Sequence, residues 1–233
     1  ADLAALLTAI DAGKKDILLT GTSYDFTADE ALSGTLKLAT GINLKGVLNC
    51  GQKPEIIGAF SLENTEGAFE LSNILLNGNS SISDMIVIAT GASPSKLTLV
   101  NCDVTSYKNR LISGPNESAC GPVIVKGCKV SGVEGANFTG GDFIDFRKGS
   151  VSSIKVTNST FANAIRTFVR VDAGVQCGAV AVENNTFYIE GTSLAVGVLS
   201  QKMQGDLRQW NEKQYLVSSA TIRLIVAWRP RDA

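Results

Sequence analysis

The chain has 233 residues, 44% of them hydrophobic and 18% charged, which is globular composition and excludes a wholly disordered protein. Its net charge of −1 leaves no basic field to gather nucleic acid, and no apolar run is long enough for a transmembrane helix. There is no histidine, so Ser-His-Asp triads, Cys-His dyads and His-ligated zinc are all excluded within this chain. Five cysteines, at 50, 102, 120, 128 and 177, are an odd number with no CxxC pair. They write no zinc ribbon and leave the redox compartment open.

In chain order, the first element is a helix. Asp2 can cap Leu3–Ala12, whose Leu3, Leu6, Leu7 and Ile10 share one face, and Gly13 supplies the stop. Residues 1–13 are therefore read as a helical cap over the open end of whatever follows. The stretch Asp16-Ile17-Leu18-Leu19 opens the strands, and Gly21 to Phe26 make the first corner and the next strand.

From there a repeat runs through residues 14–200. Leu71-Ser72-Asn73-Ile74 is echoed by Leu99-Val100-Asn101-Cys102, Val125-Lys126-Gly127-Cys128, Val156-Thr157-Asn158-Ser159 and Val182-Glu183-Asn184-Asn185. Leu44-Lys45-Gly46-Val47 is a degenerate first copy. The Asn/Gly positions 46, 73, 101, 127, 158 and 184 are 27, 28, 26, 31 and 26 residues apart. Each copy follows an alternating apolar run such as Lys96-Leu97-Thr98-Leu99, the period of a half-buried strand. A second ladder, matched on Ile86, Leu111, Ile144, Val169 and Val196, advances at nearly the same period.

Short strands repeating about every 26 residues, with Gly and Asn at the corners, predict an all-β solenoid. No coil buries its apolar side alone, but a stack makes one continuous core. A leucine-rich repeat would need a Leu-rich consensus, and a β-sandwich would not keep register through six copies. Asn tolerates the left-handed backbone of a sharp corner, and its amide can bond from coil to coil. The expected core includes Leu71, Leu97, Leu99, Val123, Val125, Ile144, Phe146, Ile154, Val156, Val169, Val171 and Val196. Residues 201–233 lose the repeat and hold Trp210, Trp228 and the apolar run Thr221–Trp228, read as a C-terminal cap or a contact for a homo-oligomer or other assembly partner.

These coils, with the opening LTAIDAGKKDILLTGTSYDF and the copies IKVTNSTFANAIRTFVRV and VAVENNTFY, resemble the right-handed parallel β-helix proteins of the pectate-lyase-like superfamily. Within it they are most similar to chondroitinase-B-like and uncharacterised Bacteroidota surface domains. The resemblance implies a right-handed single-stranded parallel β-helix, an extracellular, cell-surface or periplasmic location, and an association with polysaccharide. The superfamily's hydrolase motifs, a Gly-His-Gly and an Arg-Ile-Lys, are missing. Only a loose version of the lyase pattern, arginine beside acidic calcium ligands, is present in Asp142, Asp145, Arg147, Lys148, Arg166, Arg170 and Asp172.

If Ile144 and Val169 point inward in register, Asp145 and Arg170 point outward over one another, about 4.8 Å apart. Arg147, Arg166, Arg170 and Lys148 are then the candidate ligands for an acidic polysaccharide, since guanidinium reads carboxylate or sulfate bidentately. Asp142 and Asp145 would orient them or hold calcium, the one cofactor the resemblance implies. A solvated ion-pair ladder is the competing reading of the same residues. The function expected is a polysaccharide-binding β-helix without catalysis. The alternatives are an adhesive fibre or decoration protein and a calcium-dependent polysaccharide lyase.

Overall fold

A computed structural model describes residues 2–63, 66–131, 142–162, 167–172, 175–190, 197–201 and 223–227. Apart from one helix, Asp2–Asp11, the named elements are strands. Strand pairs are parallel throughout, in a 12-stranded and an 8-stranded sheet. The protein is a parallel β-solenoid.

Each coil contributes to three faces. The first carries Asp16–Leu19, Ile42–Gly46, Ala68–Ser72 and Lys96–Val100. The second, the 8-stranded sheet, begins with Ser23–Asp25 and Glu55–Ile57 and runs on through Leu75–Asn77 and Asp103–Thr105. The third carries Thr35–Leu38, Ala59–Leu62, Asp84–Ile88 and Thr167–Val171. The 17-residue strand Arg110–Lys126 and the 16-residue strand Asp142–Thr157 run along both the third and first faces, which joins them into the larger sheet.

Alternation does the sorting. In Thr35–Leu38 and Ala68–Ser72 every second residue is buried. The inward stripe Leu44, Leu71, Leu99, Val125, Val156, Val182 is in register from coil to coil and almost fully buried. Every expected core residue from Leu71 to Val171 is buried, while Val196 lies outside the described residues. Aromatic rings fill the wider places. Phe60 meets Phe26 at 5.5 Å and Phe69 at 5.2 Å, and Phe143 meets Phe161 at 4.6 Å between centroids.

The second ladder needs correction. Ile86 is in register with Ile112, not Leu111, and Val169 with Leu199, not Val196. Leu111 and Ile112 are both buried, so burial alone could not distinguish them in the sequence.

The corners behave as the repeat implies. Asn73, Asn101, Asn158 and Asn184 have φ of 55°, 51°, 52° and 54°, and Gly127, at the same place, 64°. Each of the first four corners in this series donates its backbone N–H one coil onward: Asn73 to Val100 O, Asn101 to Lys126 O, Gly127 to Thr157 O and Asn158 to Glu183 O. The Asn101 amide also donates to Asn73 Oδ1 at 2.7 Å. Gly46 differs for a steric reason, since a β-carbon there would lie 2.0 Å from Asn73 O.

At the N-terminal end, the helix stops in a Schellman arrangement. Lys14 N–H reaches Ala9 O, Gly13 N–H reaches Ile10 O, and Gly13 has φ 72°. Leu6 is buried against the first coil, with Leu3, Leu7 and Ile10 packed around it. At the other end, the strand Arg223–Ala227 lies within the expected apolar run and pairs in parallel with Thr186–Glu190. Trp210 and Trp228 lie outside the described residues.

Two stability predictions follow from this packing. Asn101→Val forces a β-branched residue into the left-handed region and should cost about 1–2 kcal/mol in urea unfolding, whereas Asn101→Gly should cost less than about 1 kcal/mol. The Tyr107 hydroxyl is buried without a partner among the described residues, and burial pushes its pKa well up. Tyr107→Phe should therefore raise stability by about 1 kcal/mol in the same measurement.

Candidate functional site

The outward positions of the third face carry the charges. Asp84 is in register with Arg110 one coil on, Ser113 with Asp145, and Asp145 with Arg170. In-register outward side chains on neighbouring coils stand close enough to pair, as Asp84 and Arg110 do, and contacts between positions out of register extend that pair into one network.

Arg110 bridges two coils. Its Nη1 donates to Asp84 Oδ2 at 3.0 Å and its Nε to Asp145 Oδ2 at 2.6 Å. Arg147 grips Asp145 from its own strand, with Nε at 2.8 and 2.7 Å from the two oxygens and Nη2 at 2.7 Å from Oδ2. Arg147 Nη1 reaches toward Asp172 Oδ2 at 3.8 Å. Asp172 in turn takes a bidentate pair from Arg170, Nε at 2.8 Å and Nη2 at 3.2 Å. The order Asp84, Arg110, Asp145, Arg147, Asp172, Arg170 alternates in sign along the solenoid.

Burial grades along this chain of charges. The Asp145 side chain is fully buried, while Arg110, Arg147 and Arg170 are 20%, 29% and 20% exposed. Burial opposes the charge on Arg110, and the Asp84 and Asp145 carboxylates more than offset it, holding its pKa above the ordinary value. Both Asp145 oxygens already accept guanidinium donors. This carboxylate is thus committed to orienting arginines, and a calcium ion would have to displace them. No group of three or more acidic or cysteine side chains suited to a metal occurs among the described residues.

The sequence-derived candidates divide accordingly. Arg147, Arg170 and Asp145 come together, although Arg170 pairs with Asp172 rather than with the in-register Asp145, because the sequence-near carboxylate is reached bidentately. Lys148 is exposed, on the same strand and in register with Glu117. Asp142 is in register with Thr167 through its backbone, and its side chain lies outside the described atoms, as does all of Arg166. Asp84 and Arg110 were missed. Their signal was their separation by one repeat of 26 residues, with opposite charge at equivalent outward positions.

The charge pattern gives a direct test. Asp145→Ala leaves Arg110 and Arg147 without their buried partner and should destabilise the fold by about 3–5 kcal/mol. Lys148→Ala, at an exposed position, should change stability by less than about 0.5 kcal/mol in the same denaturant titration.

Neither the curated proteins nor the solved structures compared with this chain include a match. Residues 22–164 match the family described as Domain of unknown function (DUF4957). The match spans more than half of the chain and takes in Asp84, Arg110, Asp145 and Arg147, while Arg170 and Asp172 lie beyond it. The chain belongs to the DUF4957 family.

Proposed function

We propose that this protein is an extracellular or cell-surface β-helix that binds an acidic polysaccharide without cleaving it, on the third face of the solenoid. The observation that carries the reading is the six-membered Asp–Arg network from Asp84 to Arg170, with its three guanidiniums partly exposed on a rigid sheet. Carboxylates fix the arginines in place, so little side-chain entropy is lost when a ligand arrives. Guanidinium edges recognise carboxylate or sulfate groups, and carboxylate edges accept from sugar hydroxyls. The resemblance of the coils to pectate-lyase-like β-helices supports the choice of a polysaccharide. The buried, doubly gripped Asp145 supports binding over proton abstraction, because its side chain is fully covered and out of a substrate's reach.

Arg147 is the most exposed of the three arginines, so Arg147→Ala should weaken binding to uronate or sulfated polysaccharides about tenfold in affinity electrophoresis. Because aspartates already balance the arginines, raising salt should weaken binding only modestly. Absorbance of unsaturated product should stay flat, with or without calcium. Absence of binding across an acidic panel at low salt would sink the reading.

The alternative, an adhesive or fibre-forming component, is favoured by one observation: Leu18, Val47 and Leu48, near the N-terminal end, are 63%, 42% and 48% exposed. A concentration-dependent rise in mass by sedimentation, abolished by Leu18→Ser, would support it.

A further inference from the structure

The residue after each left-handed corner turns into the solenoid. Ile74, Cys102, Cys128, Ser159 and Asn185 stack there, one per coil. Their carbonyls accept in sequence: Asp103 N–H to Ile74 O, Lys129 to Cys102 O, Thr160 to Cys128 O and Thr186 to Ser159 O, each at 2.8–2.9 Å. Toward the C-terminus the side chains also tie coils together, with Ser159 Oγ accepting from Cys128 N–H at 3.1 Å and Asn185 Oδ1 from Ser159 N–H at 2.8 Å.

Cys102 and Cys128 occupy consecutive rungs of this column, 0% and 1% exposed. Cys102 Sγ lies 3.5 Å from Leu71 O and Val100 O, and Cys128 Sγ 3.6 Å from Leu99 O and 3.5 Å from Lys126 O. The two neighbouring thiols also influence each other's ionisation, which holds the Cys102 pKa up and that of Cys128 down. Lys53, bound to Asp103 at 2.9 Å, adds positive charge within reach of both.

We propose that Cys102 and Cys128 form a disulfide that staples consecutive coils when the chain folds in contact with a thiol–disulfide oxidant such as oxidised glutathione. Successive parallel coils stand about 4.8 Å apart, inside the Cα range that a disulfide spans, and the β-carbons must close by about 1 Å. One of the two cysteines, as its thiolate, attacks one glutathione sulfur and releases one reduced glutathione. The other, losing its proton, then displaces the second. Two protein thiols thus lose two protons and two electrons, and one oxidised glutathione becomes two reduced ones. Burial places this step during coil assembly, before the corner closes over the thiols, and shields the finished bond from reductant.

The other cysteines do not compete for it. Cys120 and Cys177 share a column but are separated by Val151, two coils apart at roughly 9.6 Å, which is beyond bridging distance. Burial pushes the Cys120 thiol up to about 12, and Cys50 is exposed at a surface turn. This inference is independent of any ligand on the third face.

The test is to refold the full chain from denaturant with a glutathione redox pair, and in parallel with a phosphine reductant. Both samples are then alkylated in denaturant and mapped by mass. The expected result is three alkylated cysteines instead of five, with the tryptic peptides Leu97–Lys108 and Gly127–Lys129 joined. The glutathione-refolded wild type should melt at a higher Tm than the phosphine-refolded sample, whereas a Cys102→Ser/Cys128→Ser variant should melt at the same Tm after either treatment. That variant is expected to fold, because Ser159 already occupies the same column. Five alkylated cysteines after oxidative refolding, or a linkage through any other pair, overturns the proposal.

Discussion

Coil-to-coil register is the constraint on which the rest of this molecule depends. A single coil of about 26 residues has no opposite layer to bury its apolar side chains, so its leucines and valines leave water only when the next coil lands in register. A one-residue slip would turn every inward side chain outward. Two devices hold the register here. The apolar stripe from Leu44 to Val182 makes a slip costly, and the left-handed corners at Asn73, Asn101, Gly127 and Asn158 each donate a backbone N–H to the following coil. The corner is therefore a hydrogen-bonding joint as well as a bend. Asn and Gly serve it because both tolerate positive φ at low cost.

The same register builds the charged face. On a solenoid, any outward residue recurs beside its equivalents one coil away, so isolated charges become a row without long-range folding of loops. Asp84 beside Arg110, and Asp145 between two guanidiniums, arise in this way. What would be a weak surface pair on a helix is stronger here because Asp145 is fully buried and hydrogen-bonded by two arginines. The result is a rigid set of donors and acceptors on one face, with its charge balanced internally. A protein using it to recognise a glycan would rely on hydrogen-bond geometry more than on net attraction. At the corner joining the first and second faces, the same stacking places two thiols on consecutive rungs.

Much of this architecture is legible in the sequence because a solenoid writes its contacts as a period. The spacing of Asn73, Asn101, Gly127, Asn158 and Asn184, with period-two apolar runs before them, determines the coil length, the parallel stacking, the inward stripe and the corner conformation. The capping helix is legible for a local reason, an apolar face ending at a glycine. Register on the third face is less so: where Leu111 and Ile112 are both apolar and both buried, hydrophobicity cannot say which of them stacks on Ile86. Only tertiary structure decided the pairing of charges. Outward positions show which residues share a face, but a long arginine chooses among several carboxylates by reach and burial. Arg170 thus takes Asp172 rather than the in-register Asp145, and Arg110 joins Asp84 to Asp145 across coils 61 residues of sequence apart. That choice is set by three-dimensional proximity and desolvation, which no linear spacing records.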